Sequence, residues 1–276
     1  MTSINERAEA LHALHGKGAE VLVLANAWDV ASARIVANAG AKAIATTSAG
    51  VAWSLGAADG DELDRDLAIG LIRRVVAAVG LPVTADIESG FGATPAEVAE
   101  TVRLVLAAGA VGVNIEDSVQ AGEQPLRPAA EMAERIAAAR AAADDAGVPL
   151  YINARVDTYL RSVGEGDARL TETLERASAY LAAGASGIFV PGVVDPPIVR
   201  ALVEGIAAPL NVLAGPGAPS VRELGDLGVA RVSVGSSIAS AAYALVQRAA
   251  EELFATGGYG PLAGGLGHAQ LNKLFH

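Results

Sequence analysis

VTADIESGFG-ATPAEVAETVRLVLAAGA-VGVNIED, residues 83–117, reads as one complete structural repeat. A β-branched run at 83–88 (VTADIE) leads through a glycine-rich turn into 95–108, where apolar residues recur every three or four positions, the period of an amphipathic helix. Gly109 stops that helix, and a second apolar run, 112–117 (GVNIED), follows at once. A strand, a helix and a second strand joined so tightly form a parallel βαβ unit. The same alternation extends in both directions. Further strands are expected at 21–27 (VLVLANA), 43–48 (AIATTS), 150–157 (LYINARVD), 187–192 (GIFVPG), 210–215 (LNVLAG) and 231–236 (RVSVGS), eight in all. Helical runs at 128–146 and 167–183, and glycine stops in AAGA (107–110), DAGV (145–148), AAGA (182–185) and DLGV (226–229), separate them. Eight strand–helix units with no interposed linker predict an α/β fold, a closed (β/α)8 TIM barrel forming one domain over 1–276. A leading helix at 3–15 and a glycine-rich tail, 257–267 followed by 268–275, are extra to the eight units. A helix tethered through so flexible a stretch is expected to pack on a neighbouring subunit, as a swapped C-terminal helix within the 257–276 tail.

Composition removes many chemistries. With no cysteine there is no disulfide, thiolate metal site or cysteine nucleophile. The three lysines, Lys17, Lys42 and Lys273, do not follow expected strands at the end where barrels keep their chemistry, which argues against a Schiff base. All four histidines, His12, His15, His268 and His276, lie in the terminal segments, so carboxylates, arginines and backbone must do the work. A net charge of −11 without a basic patch argues against nucleic acid or an anionic membrane as partner. No apolar run reaches the length of a membrane span and the N-terminus is polar, so a cytoplasmic location is expected.

Functional residues of a barrel sit where strands run into their following loops, and here that ring is acidic. Strand three ends in Asp86 and Glu88, strand four in Glu116 and Asp117, and the loop after strand two supplies Asp59. Strict alternation places Asp86 and Glu88 on one face. Converging carboxylates repel unless a hard cation neutralises them, and an oxygen-only donor set suits Mg2+ or Mn2+; helix capping or a solvated strand end is the plainer reading of each piece alone. Arg155, inside the fifth strand, needs an anion: a substrate carboxylate, or a buried ion pair with Asp157 or Glu116. The run Thr46, Thr47, Ser48, Ala49, Gly50 offers hydroxyls and backbone N–H groups to a carboxylate or oxyanion, or is simply a turn out of the strand. Asn211 and Ser233 either complete a polar lining for the ligand or bond structurally within the barrel.

With these residues in place, the chain resembles the isocitrate lyase/phosphoenolpyruvate mutase superfamily over about residues 26–236. The motifs are NAWDVASARIVANAGAKAIATTSAGVAWSLGAAD (26–59), VTADIESGFG (83–92), GVNIEDS (112–118) and INARVDTYL (152–160). The resemblance implies Asp86 as direct Mg2+ ligand, with Asp59, Glu88 and Glu116 holding metal-bound waters. It also implies substrate carboxylate and oxyanion binding by Ser48, Ala49 and Gly50, a carboxylate on Arg155, and Trp28 and Asp29 near the pocket floor. A homotetramer, a dimer of dimers that exchange the last barrel helix, follows from the same source.

Two departures bear on the reaction. Superfamily lyases carry a Lys-Lys-Cys-Gly-His run after strand four, whereas residues 116–128 here read EDSVQAGEQPLRP, with no lysine, cysteine or histidine. Strand six ends in Phe189, Val190, Pro191 and Gly192, without the glutamate or histidine of well-known members. The expectation is therefore a Mg2+-dependent enzyme that breaks a C–C bond of a small 2-oxo or 2-hydroxy carboxylate through an enolate, as an oxaloacetate-type decarboxylase or a 2-hydroxy-acid lyase. Ser48, Glu116 and Arg155 are the catalytic candidates. A C–P phosphonomutase-like or phosphonopyruvate hydrolase-like enzyme and a non-catalytic 2-oxo acid binder are the alternatives.

Overall fold

The computed structural model describes residues 2–120 and 124–275. Eight parallel strands form the sheet: β1 (Leu22–Leu24), β2 (Ile44–Ala45), β3 (Val83–Asp86), β4 (Gly112–Glu116), β5 (Tyr151–Arg155), β6 (Gly187–Val190), β7 (Leu210–Leu213) and β8 (Arg231–Ser233). Their order, β1-β8-β7-β6-β5-β4-β3-β2, leaves β1 and β2 to close the ring. They meet through a single parallel bridge, Ala27 with Thr46. Asn26 reinforces that seam: its Nδ2 donates to the Thr46 carbonyl at 2.9 Å, and its Oδ1 accepts the Val234 and Gly235 amides at 3.2 and 3.0 Å. The barrel is thus nearly closed by strand pairing, and one side chain ties the ends of β2 and β8 across β1.

The helices are α1 (Ile4–Ala13), α2 (Val30–Asn38), α3 (Ser48–Ser54), α4 (Arg65–Ala78), α5 (Pro95–Ala108), α6 (Ala129–Asp145), α7 (Gly166–Ala182), α8 (Pro196–Gly205), α9 (Val221–Asp226), α10 (Ser237–Thr256) and α11 (His268–Lys273). The opening repeat shows why sequence periodicity sufficed. Thr94 caps α5 in a reciprocal capping box with Glu97, Pro95 fills the first turn, and Gly109 ends the helix at φ 90°. The face of Val98, Val102 and Val105 is fully buried against the sheet. Alternation in β4 sends Val113 and Ile115 to that layer and leaves Asn114 and Glu116 to the barrel interior, an assignment fixed for Asn114 by its bond to Arg231 of non-adjacent β8.

Strand ends are shorter than expected. The chain leaves β3 at Asp86, and Glu88 lies beyond it in the left-handed region at φ 51°. Alternation therefore stops before Glu88, and the expectation that it shares a strand face with Asp86 does not hold. Residues 48–54 form helix α3, so Ser48 opens a helix where a strand end was expected.

Helix α1 closes the bottom of the barrel. Leu11 is fully buried with its Cδ2 where a side chain on Gly112 would sit, 2.7 Å from an ideal Cβ there. Only glycine admits it. At the other terminus, α10 buries Ala239 alone and exposes Val246, Leu253 and Phe254, the last at 86%. Segment α11 lies on its own chain, where Arg34 of α2 donates to the Leu274 carbonyl and stands 5.2 Å from the Phe275 ring centroid. No helix among the described residues is long and apolar enough to cross a membrane.

Candidate active site at the barrel mouth

The strand ends that define the mouth are Thr46, Asp86, Glu116 and Arg155, held in line by the sheet. Parallel pairing sets Asp86 opposite Asn114, and Glu116 opposite Arg155. Half-buried Asp86 has its amide held by Thr46 Oγ1 at 2.9 Å and its Oδ1 bonded by the Glu88 amide at 3.2 Å. Burial pushes its carboxyl above the ordinary range, Arg155 and the Glu88 and Ser48 amides pull it back, and the Asp59 charge raises it again. Asp59 is itself exposed, yet its charge reaches Glu88 and Glu116 as well.

Arg155 is the centre of charge compensation. Its Nη1 lies 2.5 Å from Glu116 Oε2, and its Nε and Nη2 donate to the two oxygens of Asp157 at 2.6 and 2.9 Å. Burial alone would weaken its protonation, but Glu116 and Asp157 hold it above the ordinary guanidinium value. Of the two anions considered from the sequence, an internal carboxylate is the one in contact, and both Asp157 and Glu116 supply it. Each of Nη1 and Nη2 carries a second N–H beyond the one given to Glu116 or Asp157 among the described residues. Glu116, buried and pushed well above the usual carboxylate range by desolvation, is pulled down by Arg155 and raised by Asp157 and Asp86. The mouth thus gathers Glu116, Asp157 and Asp86 around one guanidinium, with Glu88 and Asp59 beside Asp86.

Glu88 also carries a structural role. Its Oε2 accepts the amides of Gly60, at 3.0 Å, and Asp61, while Asp61 Oδ1 accepts the Ser89 amide at 3.3 Å. These bonds stitch the loop carrying Asp59 to the loop after β3. The second oxygen, Oε1, is buried with no partner among the described residues, and burial raises the carboxyl to about 7. Among the described residues no three His, Asp or Glu side chains are close enough to hold a metal ion by themselves. A cation here would take few direct carboxylate oxygens and more water.

Ser48, Ala49 and Gly50 form the first turn of α3, whose N–H groups lack helical acceptors and favour an anion. A Cβ on Gly50 would come within 2.8 Å of both Trp28 Cβ and Thr47 Cγ2, so Trp28 packs directly against this turn. Asp29 is occupied elsewhere: it caps α2 through Ser32, whose amide it accepts at 2.6 Å. Asn211 donates to Ser233 Oγ at 3.2 Å inside the barrel, a structural bond, and its Oδ1 is buried with no partner among the described residues.

Several residues support the site from outside the ring, among them Asp117, which the sequence placed in the ring itself. Asp117, which follows Glu116, turns outward and accepts Tyr180 Oη at 2.7 Å and Arg176 Nη1 at 3.2 Å; burial raises it to about 6. Its Oδ1 holds the Asp157 amide at 2.9 Å, and Ser118 donates to Asp157 Oδ2, so the Arg155 partner is braced from two sides. Arg135 of α6, almost fully buried, donates to the Gly92 and Ala93 carbonyls at 2.8 and 2.6 Å and fixes the loop after β3.

Comparison with known proteins identifies the family. Residues 11–254 match the phosphoenolpyruvate phosphomutase family model. An uncharacterized Mycobacterium tuberculosis protein is 41% identical over 229 residues, 82% of each chain. The 2-methylisocitrate lyase of Escherichia coli K12 is 33% identical over 183 residues, 64% of this chain and 60% of the enzyme. Among solved structures, a Burkholderia cenocepacia J2315 protein provisionally assigned as a phosphonomutase superposes with a TM-score of 0.85 at 44% identity, covering 90% of this chain and all of the other. A phosphonopyruvate hydrolase complexed with oxalate and Mg2+ gives 0.83 at 25% identity, over 97% and 94% of the two chains. A nearly closed eight-stranded barrel, an acidic mouth centred on Asp86 and Glu116, and a match over most of its length place this chain in the phosphoenolpyruvate phosphomutase family, among the lyases and mutases of the isocitrate lyase/PEP mutase superfamily.

Proposed function

We propose that this enzyme is a Mg2+-dependent lyase that breaks a C–C bond of a small 2-oxo or 2-hydroxy carboxylate through an enolate, with oxaloacetate-type decarboxylation as its simplest reaction. The observation that carries the reading is the excess of carboxyl groups at the mouth: Glu116 and Asp157 contact Arg155, Asp86 lies within reach of its charge, and Asp59 and Glu88 crowd Asp86. Burial and this crowding raise Asp86, Glu88 and Glu116 above the usual carboxylate range. Oxygen donors in excess of cations, one of them the Oε1 of Glu88, buried with no partner among the described residues, fit a hard divalent ion. Asp86 would hold it directly, and Asp59, Glu88 and Glu116 through water. Bound there, Mg2+ or Mn2+ supplies an electron sink for a 2-oxo group.

The chain's own residues supply the rest. The Ser48 hydroxyl and the first-turn amides of Ala49 and Gly50 bind and orient the 2-oxo carboxylate, and the remaining N–H groups of Arg155 take a carboxylate oxygen. In decarboxylation the C3–C4 bond breaks, CO2 leaves, its electron pair becomes the enolate of pyruvate, and water returns a proton to C3. No base is needed, which suits a loop after β4 without lysine, cysteine or histidine. A retro-aldol cleavage needs a base for the 2-hydroxyl, and Glu116 is the carboxylate placed for it. The C–P reading is less favoured, because Arg127, the cation a phosphoryl group would use, is paired with Glu131 at 3.0 Å. The uncovered apolar face of α10 supports a homotetramer in which neighbouring subunits exchange that helix.

Steady-state assays with oxaloacetate, a malate-type acid and phosphonopyruvate, each with Mg2+ and with chelator, test the reading. Mg2+-dependent consumption of oxaloacetate or the hydroxy acid, lost in Asp86→Asn, is expected. Turnover of phosphonopyruvate alone overturns the C–C assignment, and tight keto-acid binding without any turnover makes the protein a binder.

A further inference from the structure

Beneath the acidic mouth lies a cation that the reading above does not use. Arg231, at the start of β8, is 1% exposed, and among the described residues no carboxylate pairs with it. Burial lowers its ionisation to about 10, which leaves it charged at neutral pH. Its Nη2 reaches across the barrel to Asn114 Oδ1 on β4 at 3.3 Å, while Nε and Nη1 meet no acceptor among the described residues. The same Asn114 oxygen accepts Asn153 Nδ2 at 2.8 Å.

An arginine side chain has five donors and no acceptor, so the Asn114 atom that faces it must be the oxygen. The reversed amide would set Nδ2 against the Arg231 guanidinium, and the cost of buried donors facing one another excludes it. Asn114 Nδ2 therefore occupies the other arm of the amide, on the side away from Arg231. That side is the mouth: Asn114 is the inward position one layer below Glu116 on β4 and stands in register with Asp86 of β3. Among the described residues no side chain or carbonyl accepts from it.

We propose that Asn114 is a ligand-binding residue in the floor of the active site, presenting Nδ2 to an oxygen of the bound acid, and that Arg231 is the positioning residue that fixes its amide. The role rests on the reading that the mouth binds a 2-oxo acid with Mg2+. An oxygen-rich dianion that completes the Mg2+ shell then meets one neutral donor from below, in addition to Arg155 and the α3 amides at the sides. Arg231 contributes through Asn114 and never touches the ligand.

Oxalate, a planar mimic of the enolate, is the probe, titrated calorimetrically at saturating Mg2+ into wild type, Asn114→Ala, Arg231→Met and the double variant. Asn114→Ala is expected to weaken oxalate about tenfold, the range of one hydrogen bond to a charged group, and to change Mg2+ affinity without oxalate by less than about twofold. Arg231→Met is expected to weaken oxalate comparably in the wild-type background and by less than about twofold once Asn114 is alanine. Unchanged oxalate affinity in Asn114→Ala overturns the binding role, and an equal Arg231→Met effect in both backgrounds overturns the positioning role. Arg231→Lys, which keeps the charge but not the reach, replaces Arg231→Met in the cycle if the latter does not fold. Failure of the wild type to bind oxalate with Mg2+ overturns the 2-oxo acid reading and the Asn114 role with it, an outcome distinct from the other two.

Discussion

At the bottom of the barrel, His15 stacks on Tyr151 with ring centroids 3.9 Å apart and bonds the Leu11 carbonyl through Nδ1 at 2.8 Å. Burial, with the nearby Arg231 charge, drives its ionisation down to about 3, and the Tyr151 phenol is pushed up by burial as well. Both are neutral at physiological pH. At the mouth, by contrast, Glu116 and Asp157 sit in direct contact with the Arg155 guanidinium, and the carboxyl of Asp86 lies close enough to feel the same cation. The bottom disposes of buried polarity by neutralising it, and the mouth retains it. The difference separates a stability face from a chemistry face, as the barrel architecture divides them.

Three changes probe that division. Arg155→Met attacks the mouth hardest, because it strands two buried carboxylates; we expect a loss of roughly 3–5 kcal/mol in urea denaturation together with loss of turnover. Leu11→Ala attacks the bottom. It leaves a cavity over Gly112 and should cost roughly 2–5 kcal/mol, while oxalate and Mg2+ affinities measured on the folded protein stay within about twofold of wild type. An equal loss of ligand affinity would mean that the two faces are coupled. The smallest effect is a pH slope. His15 binds its proton more weakly in the folded state than in the unfolded chain, so its contribution is intact above the unfolded value of about 6.5 and erodes as pH falls toward 3. Wild type should therefore lose about 1.4 kcal/mol per pH unit relative to His15→Phe between pH 6 and 4, measured by paired denaturant titrations. A constant gap across that range would show that His15 is not buried neutral.

The repeat at 83–117 was readable because every signal in it is local: Thr94 and Glu97 cap three residues apart, and Gly109 closes the helix. Helix α3 was not, since SAGVAWS is seven residues long, begins without a side-chain cap hydrogen bond and contains a glycine. The acidic ring could be read from strand ends, and Asp157 and Glu116 were recognisable as partners for Arg155 by proximity in the sheet. Glu88 misled because alternation cannot foresee a left-handed residue two positions past a strand end. The supports were invisible for another reason: Asn26 to Val234, Arg231 to Asn114 and Tyr180 to Asp117 join residues 208, 117 and 63 positions apart. Only the closed ring brings them together.

Isothermal calorimetry with Mg2+ at neutral pH, with and without oxalate, tests the central claim that the uncompensated charge at the mouth is a cation site. Uptake by wild type that tightens with oxalate and disappears in Asp86→Asn is the predicted result. No heat from either Mg2+ or Mn2+ under both conditions would contradict it, and the excess of carboxylates around Arg155 would then need another explanation.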